Sequence, residues 1–282
     1  MSERNEVFKS AATNSPPTMS MSQAVKNDFG LDIPVDSVPL PSRGVVYPSS
    51  STLHNAETVE IRSMTAREED ILTSKAYIKK GTVISELIRS CLVDKSINPR
   101  DLILGDRNAL MVAVRITGYG SEYGAELTCT ECSAKTEHKF DLAALPIKRL
   151  EIDPLEQGNN LFAFQLPLTK KNVKFRFLTG RDEEEMMATN EKQKKLGISV
   201  DNSVTNSLIY SIVSIDGIED RAKIAAFVRS MPARDSLALR NYIRENEPGI
   251  EMKQETTCSA CEHVEEVSMP LGASFLWPSV TR

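Results

Sequence analysis

Four of the five cysteines occur as two Cys-x-x-Cys pairs, Cys129 with Cys132 and Cys258 with Cys261. Strand-like residues flank both pairs, in residues 124–142 and 250–271, so each segment is predicted to form a strand, a tight turn and a second strand. Two thiolates at this spacing supply half of a tetrahedral zinc shell, and two such knuckles complete a four-cysteine site. The sequence therefore predicts one Zn²⁺ per chain, shared between the two pairs.

Other arrangements of the cysteines stay open. Zinc ribbons separate their pairs by about 15 to 20 residues, whereas residues 133–257 lie between these pairs. The pairs could form separate sites with His138 and His263 as further ligands, bridge two subunits, or hold no metal. A redox dithiol is disfavoured, because such motifs precede a helix whose N-terminus lowers the thiol pKa. Cys91 lies in the apolar run LIRSCLV and is predicted to be a core residue.

The cysteine pairs end two stretches of the chain that match in order. Residues 59–70 align with residues 173–184 without a gap, and both contain a Thr-x-x-acid capping box. The identical pairs are Val59 and Val173, Arg62 and Arg176, Thr65 and Thr179, Arg67 and Arg181, Glu69 and Glu183, Asp106 and Asp235, Leu110 and Leu239, and Arg115 and Arg244. We therefore predict an internal duplication in which each repeat brings one knuckle to a shared axis.

The predicted fold class is α+β, with two mostly helical lobes that each carry a strand or hairpin and a zinc-knuckle hairpin. The segments are a disordered tail (1–30), an extended proline-rich arm (31–56), a first lobe (57–145), a connector (146–160) and a second lobe (161–282). Prolines at positions 34, 39, 41 and 48 exclude a helix from the arm. The arm either packs along its own lobe or gives a strand to a neighbouring subunit. Near the end of the chain, the segment around Trp277 is either a core plug or a docking peptide.

Capping residues and apolar patterns predict the main helices and strands. Thr65 and Glu68 open a predicted helix that continues to Gly81, its C-cap. In the second lobe, LFAFQLPL and NVKFRFL predict a hairpin whose phenylalanines enter the core. The run NSVTNSLIYSIVSI that follows is predicted to be helical along its whole length.

Composition excludes several classes of function. The net charge of −5 disfavours nonspecific nucleic-acid binding, since no basic surplus exists to neutralise phosphates. With three histidines and no phosphate-binding glycine loop, the chain offers no catalytic constellation, so we expect no enzyme and no small-molecule substrate. The sequence contains no apolar run long enough to span a membrane and no signal-peptide pattern at its start, so we expect neither insertion nor secretion.

Three segments resemble a known family. PLPSRGVVYP (39–48), VEIRSMTAREEDIL (59–72) and LILGDRNALMVAVRITGYGSEY (102–123), followed by a Cys-x-x-Cys pair, are similar to the baseplate hub proteins of T-even-type contractile-tailed bacteriophages. The resemblance covers roughly residues 38–142 and continues more weakly through the second knuckle. Its most specific part is residues 105–110 with Tyr119 and Gly120.

The resemblance implies a non-enzymatic virion component of the tail baseplate, assembled in the host cytoplasm and in contact with other baseplate hub and tail proteins. It brings no catalytic residues. A tail-assembly chaperone absent from the mature virion is an alternative, and a zinc-ribbon module that binds nucleic acid is a third hypothesis.

Overall fold

A computed structural model of the chain describes residues 21–26, 32–195, 202–269 and 273–277. It combines helices and strands, which confirms the α+β class. The helices are α1 (Ala66–Thr73), α2 (Lys75–Lys80), α3 (Val83–Cys91), α4 (Leu104–Tyr119), α5 (Gly180–Lys195), α6 (Ser203–Ser211), α7 (Arg221–Ser230) and α8 (Ala233–Asn246). The strands are β1 (Met21–Lys26), β2 (Asp32–Pro39), β3 (Thr58–Arg62), β4 (Glu122–Thr128), β5 (Lys135–Asp141), β6 (Ile147–Lys148), β7 (Phe162–Gln165), β8 (Asn172–Phe175), β9 (Ile212–Ile215), β10 (Gly249–Ile250), β11 (Lys253–Thr257) and β12 (Val264–Ser268).

The proline-rich arm packs within its own chain. Its first part, β2, pairs antiparallel with β1 on one side and with β3 on the other. Within the predicted disordered tail, residues 21–26 form β1, and residues 1–20 and 27–30 lie outside the described residues. Leu40 and Leu53 of the arm are buried in the core. The arm thus covers the first half of the chain and lies over the start of α4.

A buried carboxylate in the first turn of α4 holds the arm in place. Asp106 accepts hydrogen bonds from the Ser42 backbone N–H (2.9 Å), the Ser42 hydroxyl (2.5 Å) and the Tyr47 hydroxyl (2.6 Å). In the second half, Asp235 occupies the first turn of α8 and accepts from the backbone N–H groups of Leu168 (2.7 Å) and Thr169 (3.0 Å). Each helix start therefore binds the loop that follows a Leu-Pro step, 40–41 in one half and 166–167 in the other.

The two capping boxes form the same contacts. The Thr65 backbone N–H and hydroxyl donate to Glu68 at 2.9 and 2.7 Å, and the Arg62 guanidinium donates to the same carboxylate at 2.6 Å. In the second half, Thr179 donates to Asp182 at 2.8 and 2.7 Å, and Arg176 donates to it through two bonds of 2.7 Å. Both carboxylates are buried, so each box joins a strand end to a helix start without leaving an unpaired buried charge.

Two predicted helices end earlier than expected, so those predictions are wrong. The helix expected to run to Gly81 breaks at Ser74, whose extended backbone ends α1 and starts α2. The helix expected over residues 202–215 ends at Ser211, because residues 212–215 form β9 and pair with β8. The connector of residues 146–160 contains β6, which pairs with β10 of the second half.

The hairpin predicted in the second half is confirmed as β7 and β8. Phe162, Phe175 and Phe177 are buried and pack against one another, with ring centroids 4.7–6.0 Å apart. Phe164 is partly buried against this core and lies 4.6 Å from the ring of Tyr242.

The two halves share one hydrophobic core and meet at a tight contact between Gly105 and Pro248, here called the seam. Their buried apolar side chains form a single cluster that contains Leu110 as well as Leu239. At the seam, α4 meets the chain before β10 so closely that a Cβ on Gly105 would lie 1.7 Å from the carbonyl oxygen of Pro248. Phe275 of the second half is buried and contacts Tyr123 of β4, with ring centroids 5.2 Å apart. This segment is thus a core plug as far as Leu276, and residues beyond Trp277 lie outside the described residues.

The Glu68 box predicts a pH-dependent stability. Burial alone would raise the pKa of Glu68, but hydrogen bonds from Arg62, Ser90 and Thr65 outweigh it and lower the pKa from 4.5 to about 2. Because the pKa is lower in the folded state, the stabilisation is complete above the unfolded pKa and disappears as the pH falls towards 2. We expect Glu68→Gln to lower the free energy of unfolding by about 3 kcal/mol near neutral pH, and by progressively less below pH 4.5.

Urea unfolding of both proteins across this pH range measures the difference. Asp70→Asn is the matched control, since Asp70 lies in the same helix but is exposed and forms no ion pair with any described residue. The free energy of unfolding of the Asp70→Asn variant should stay within about 0.5 kcal/mol of the wild-type value. A Glu68→Gln loss that does not change with pH would show that the carboxylate charge is not what stabilises the box.

The seam predicts a second sensitive position, Gly105. Gly105→Ala forces a methyl group into the Pro248 carbonyl, a backbone atom that cannot rotate away, so we expect a loss of about 3 kcal/mol or more. Gly118→Ala is the control in the same helix, because its Cβ meets the mobile end of the Met64 side chain at 2.3 Å. There the higher helix propensity of alanine, worth up to about 1 kcal/mol, offsets the crowding. Equal thermal stability of the two variants would contradict the tight seam.

Candidate metal centre

Two antiparallel hairpins position the four cysteines. Strands β4 and β5 flank the pair Cys129 and Cys132, and strands β11 and β12 flank the pair Cys258 and Cys261. Most side chains of both ribbons alternate between exposed and partly buried along the strands, as the period of a half-covered hairpin requires. The predicted strand–turn–strand form of both segments is therefore present.

The two turns have the same backbone form. The Cys129 N–H donates to the Ala134 carbonyl at 2.9 Å, and the Ser133 N–H donates back to the Cys129 carbonyl at 3.0 Å. In the second turn, Cys258 and His263 form the first bond at 2.8 Å, and Glu262 forms the second at 2.9 Å. Ser133 and Glu262 both adopt the left-handed conformation, with φ of 59° and 61°. This reversal turns the two sulfurs of each pair towards the same side.

The structure brings the four sulfurs together, although residues 133–257 separate the pairs in the sequence. All four lie within 4.8 Å of one another. Across the pairs, the sulfurs of Cys129 and Cys261 are 3.7 Å apart, as are those of Cys132 and Cys258. A tetrahedral zinc with Zn–S bonds of about 2.3 Å places its sulfurs about 3.8 Å apart, whereas a disulfide needs about 2.05 Å. The spacing therefore fits metal ligands, and no disulfide joins these cysteines.

The cluster lies at the protein surface with one covered side. Cys129 and Cys258 are buried, whereas Cys132 and Cys261 are exposed. Backbone N–H groups of Ala260 and Cys261 lower the pKa of Cys258 to about 7. The pKa of Cys261 rises to about 12 because the neighbouring sulfurs outweigh the favourable N–H of His263. The thiols of Cys132 and Cys261 thus favour ionisation of Cys258, whereas ionisation of Cys261 beside the other sulfurs is disfavoured, and a bound dication would remove that opposition.

The histidines have other contacts. His138 hydrogen-bonds through Nε2 to the Thr136 hydroxyl at 2.7 Å and stacks on Phe140. His263 accepts the Cys258 N–H through its backbone carbonyl. Within the part of the chain that the structure describes, the group of possible ligands contains the four cysteines and neither histidine. Cys91 is buried as predicted, and burial raises the pKa of its thiol to about 12.

One contact between the knuckles was not foreseen from the sequence. The Thr130 hydroxyl donates to the Glu265 carboxylate at 2.7 Å, so a residue inside the first turn bonds the second hairpin directly. Thr130 is exposed and Glu265 is partly buried, and polar residues of this kind carry no signal for a partner so distant in the sequence. This bond helps to hold the two turns face to face.

The arrangement is chemically that of a closed site. Four cysteine ligands fill a tetrahedral shell and leave no open position for water or substrate, so such a site stabilises structure and does not catalyse. The geometry is compatible with a metal ion joining the two halves of the chain.

Among the described residues, no helix is both long and apolar enough to cross a membrane.

Comparison with known protein families gives a match over most of the chain. Searches of curated proteins and of solved structures find no significant match to this chain. The family model described as T4 bacteriophage base plate protein matches residues 45–277, which include both capping boxes, both cysteine turns and the arm from residue 45 onward. Because this match covers well over half of the 282 residues, the chain belongs to the T4 bacteriophage base plate protein family.

Proposed function

We propose that this protein is a non-enzymatic structural component of the baseplate hub of a contractile phage tail, stabilised by one Zn²⁺. Its membership of the base plate family is the observation that carries this proposal. The hub position rests on the residue-level resemblance in residues 38–142. Its partners would be other hub and tail proteins, and its location the tail baseplate of the virion, after assembly in the host cytoplasm.

The proposed ligands of the zinc are Cys129, Cys132, Cys258 and Cys261. Their sulfur–sulfur distances of 3.7 Å support a tetrahedral site, and thiolates favour Zn²⁺ over the oxygen-preferring Mg²⁺ and Ca²⁺. The ion would connect two hairpins that lie far apart in the sequence. Its binding free energy would then contribute to folding, as in other structural zinc sites.

We also propose that the two halves are repeats of one unit. Three kinds of contact recur in the same order: the arginine–threonine–carboxylate box, the first-turn aspartate that binds a loop, and the cysteine turn with its left-handed residue. Chance similarity of helices does not explain recurrence of long-range hydrogen bonds at aligned positions. In this interpretation each repeat contributes one knuckle to the shared metal.

The metal proposal predicts about one zinc per chain in protein purified under reducing conditions. Cys129→Ser and Cys258→Ser each remove one ligand from a different hairpin, so we expect both to lose zinc and to unfold more readily, by several kcal/mol. Elemental analysis by mass spectrometry together with urea unfolding measures both effects. Removal of zinc by a chelator should lower the stability of the wild type but not that of these variants.

Cys91→Ala is the matched control, since it also removes one thiol but lies buried in the core away from the cluster. The Cys91→Ala variant should have a lower free energy of unfolding, because the substitution leaves a small cavity, but it should keep its zinc. Folded wild-type protein that holds no zinc under reducing conditions would refute the metal proposal, and the base plate family assignment would remain.

The hub proposal predicts that the protein stays in the finished particle. Mass spectrometry of purified virions should detect it at a fixed ratio to the other baseplate proteins. If it is present in infected cells but missing from virions, the alternative of a tail-assembly chaperone replaces the structural role. A salt-sensitive shift of DNA or RNA would instead favour the nucleic-acid hypothesis, which the net charge of −5 disfavours.

A further inference from the structure

The first turn of α5 binds the first half of the chain through a defined set of contacts. The Leu104 N–H donates to the Leu178 carbonyl at 2.8 Å, and the Gly180 N–H donates to the Leu102 carbonyl at 3.0 Å. Three ion pairs surround this backbone pairing: Arg181 with Asp101, Glu183 with Arg107, and Glu184 with Arg100. The charged turn of residues 179–184 is thus an interface within the molecule, and the segment of residues 99–107 receives it.

The matching turn of the first half, residues 65–70, carries the same charges but is not covered. Arg67, Glu69 and Asp70 stand at the positions of Arg181, Glu183 and Glu184, and all three are exposed. Within the described part of the chain, Arg67 and Asp70 form no ion pair, and the Glu69 carboxylate accepts a hydrogen bond from the Tyr119 hydroxyl at 2.6 Å. Beside this turn lies an open cleft of about 640 Å³, lined by Arg67 and Asp70 together with Glu86 and Arg89.

The second half contains a segment that corresponds to residues 99–107. When Asp106 is aligned with Asp235, residues 228–236 fall on it, and Arg229 takes the place of Arg100. The backbone agrees at the residue before each helix, since Ile103 before α4 has φ −61° and ψ 150°, and Pro232 before α8 has φ −53° and ψ 137°. It differs further back, because residues 228–230 end α7 whereas residues 99–102 form a turn. Arg229 and Ser230 are exposed, and Arg229 forms no ion pair with a described residue.

We infer that the turn of residues 65–70 in one copy of this protein binds the segment of residues 228–236 in a second copy, as residues 179–184 bind residues 99–107 within each chain. Asp70 would pair with Arg229, as Glu184 pairs with Arg100. A Cβ on Gly180 would lie 3.0 Å from the Arg107 side chain and 3.0 Å from the Pro99 carbonyl oxygen. In the second copy Ser236 replaces the arginine, so its smaller side chain removes the first of these contacts with the Cβ of Ala66. The second contact, with the Val228 carbonyl in the place of Pro99, requires the segment to lie a few tenths of an ångström farther from the turn.

Such a contact joins different surfaces of the two copies. It would produce a ring or an open chain of subunits, because each copy keeps one free turn and one free segment. The contact between copies has one ion pair where the internal contact has three, since Ser230 and Ser236 replace Asp101 and Arg107. We therefore expect association that weakens with salt and needs high protein concentration. This inference rests on the proposed duplication and is independent of the metal and of the hub position.

Sedimentation velocity of the full chain over a concentration series, at low and high salt, tests the contact. The wild type should form species larger than a monomer at low salt. Asp70→Arg and Arg229→Asp should each weaken association by about tenfold or more. An equal mixture of the two variants should assemble again, because the reversed turn of one meets the reversed segment of the other.

Asp153→Arg is the control, since it makes the same charge change at an exposed position outside both surfaces and should associate like the wild type. A wild type that stays monomeric at every concentration overturns the inference. So does association that is insensitive to Arg229→Asp, because the turn would then bind a different surface. Circular dichroism of each variant verifies the fold, and zinc content and virion composition are separate measurements, so a monomeric protein would leave the proposed function standing.

Discussion

Buried carboxylates fix the arrangement of this protein. Glu68, Asp106, Asp182, Glu184 and Asp235 are all shielded from water, and a carboxylate in that position is tolerated only when specific donors satisfy it. Each of them binds a segment other than its own helix: a strand end, a loop or the opposite half of the chain. Because removing any donor would leave a buried charge, the elements have few alternative placements. Apolar packing supplies the bulk of the stability, and these carboxylates select which packing is adopted.

Local patterns in the sequence predict the part of the fold that depends on neighbours in the chain. The capping box of Thr65 and Glu68, the hairpin of β7 and β8, and the turns at both cysteine pairs follow from residue types a few positions apart. The breaks are harder to predict. Residues 212–215 continue a helical pattern, but their β-branched side chains form a strand because β8 offers an open edge there. Similarly, β6 and β10 are two residues each and exist through their pairing with one another.

The candidate metal centre likewise has features that follow from local sequence and features that depend on the tertiary fold. The residue types and the turn geometry are local, and the sequence predicts both. The meeting of the two turns depends on how the two halves pack, with residues 133–257 between the turns. The sequence signal that pointed to this meeting was the predicted duplication. The hydrogen bond between Thr130 and Glu265 and the role of Asp106 as an anchor for Ser42 and Tyr47 had no such signal. They connect positions whose proximity arises from the tertiary fold alone.

The two halves differ most where the same local structure has different surroundings. Both capping turns place an arginine and two carboxylates at the start of a helix, because the box determines that geometry. In the second half, the loop of residues 99–103 and Arg107 cover the turn, and Glu184 is buried between Arg100 and Ser85. In the first half, the aligned Asp70 is exposed. In the proposed two-repeat arrangement, one internal junction leaves one copy of each junction surface uncovered. Retaining both arginine and carboxylate on the uncovered turn is what a contact with a further subunit would require.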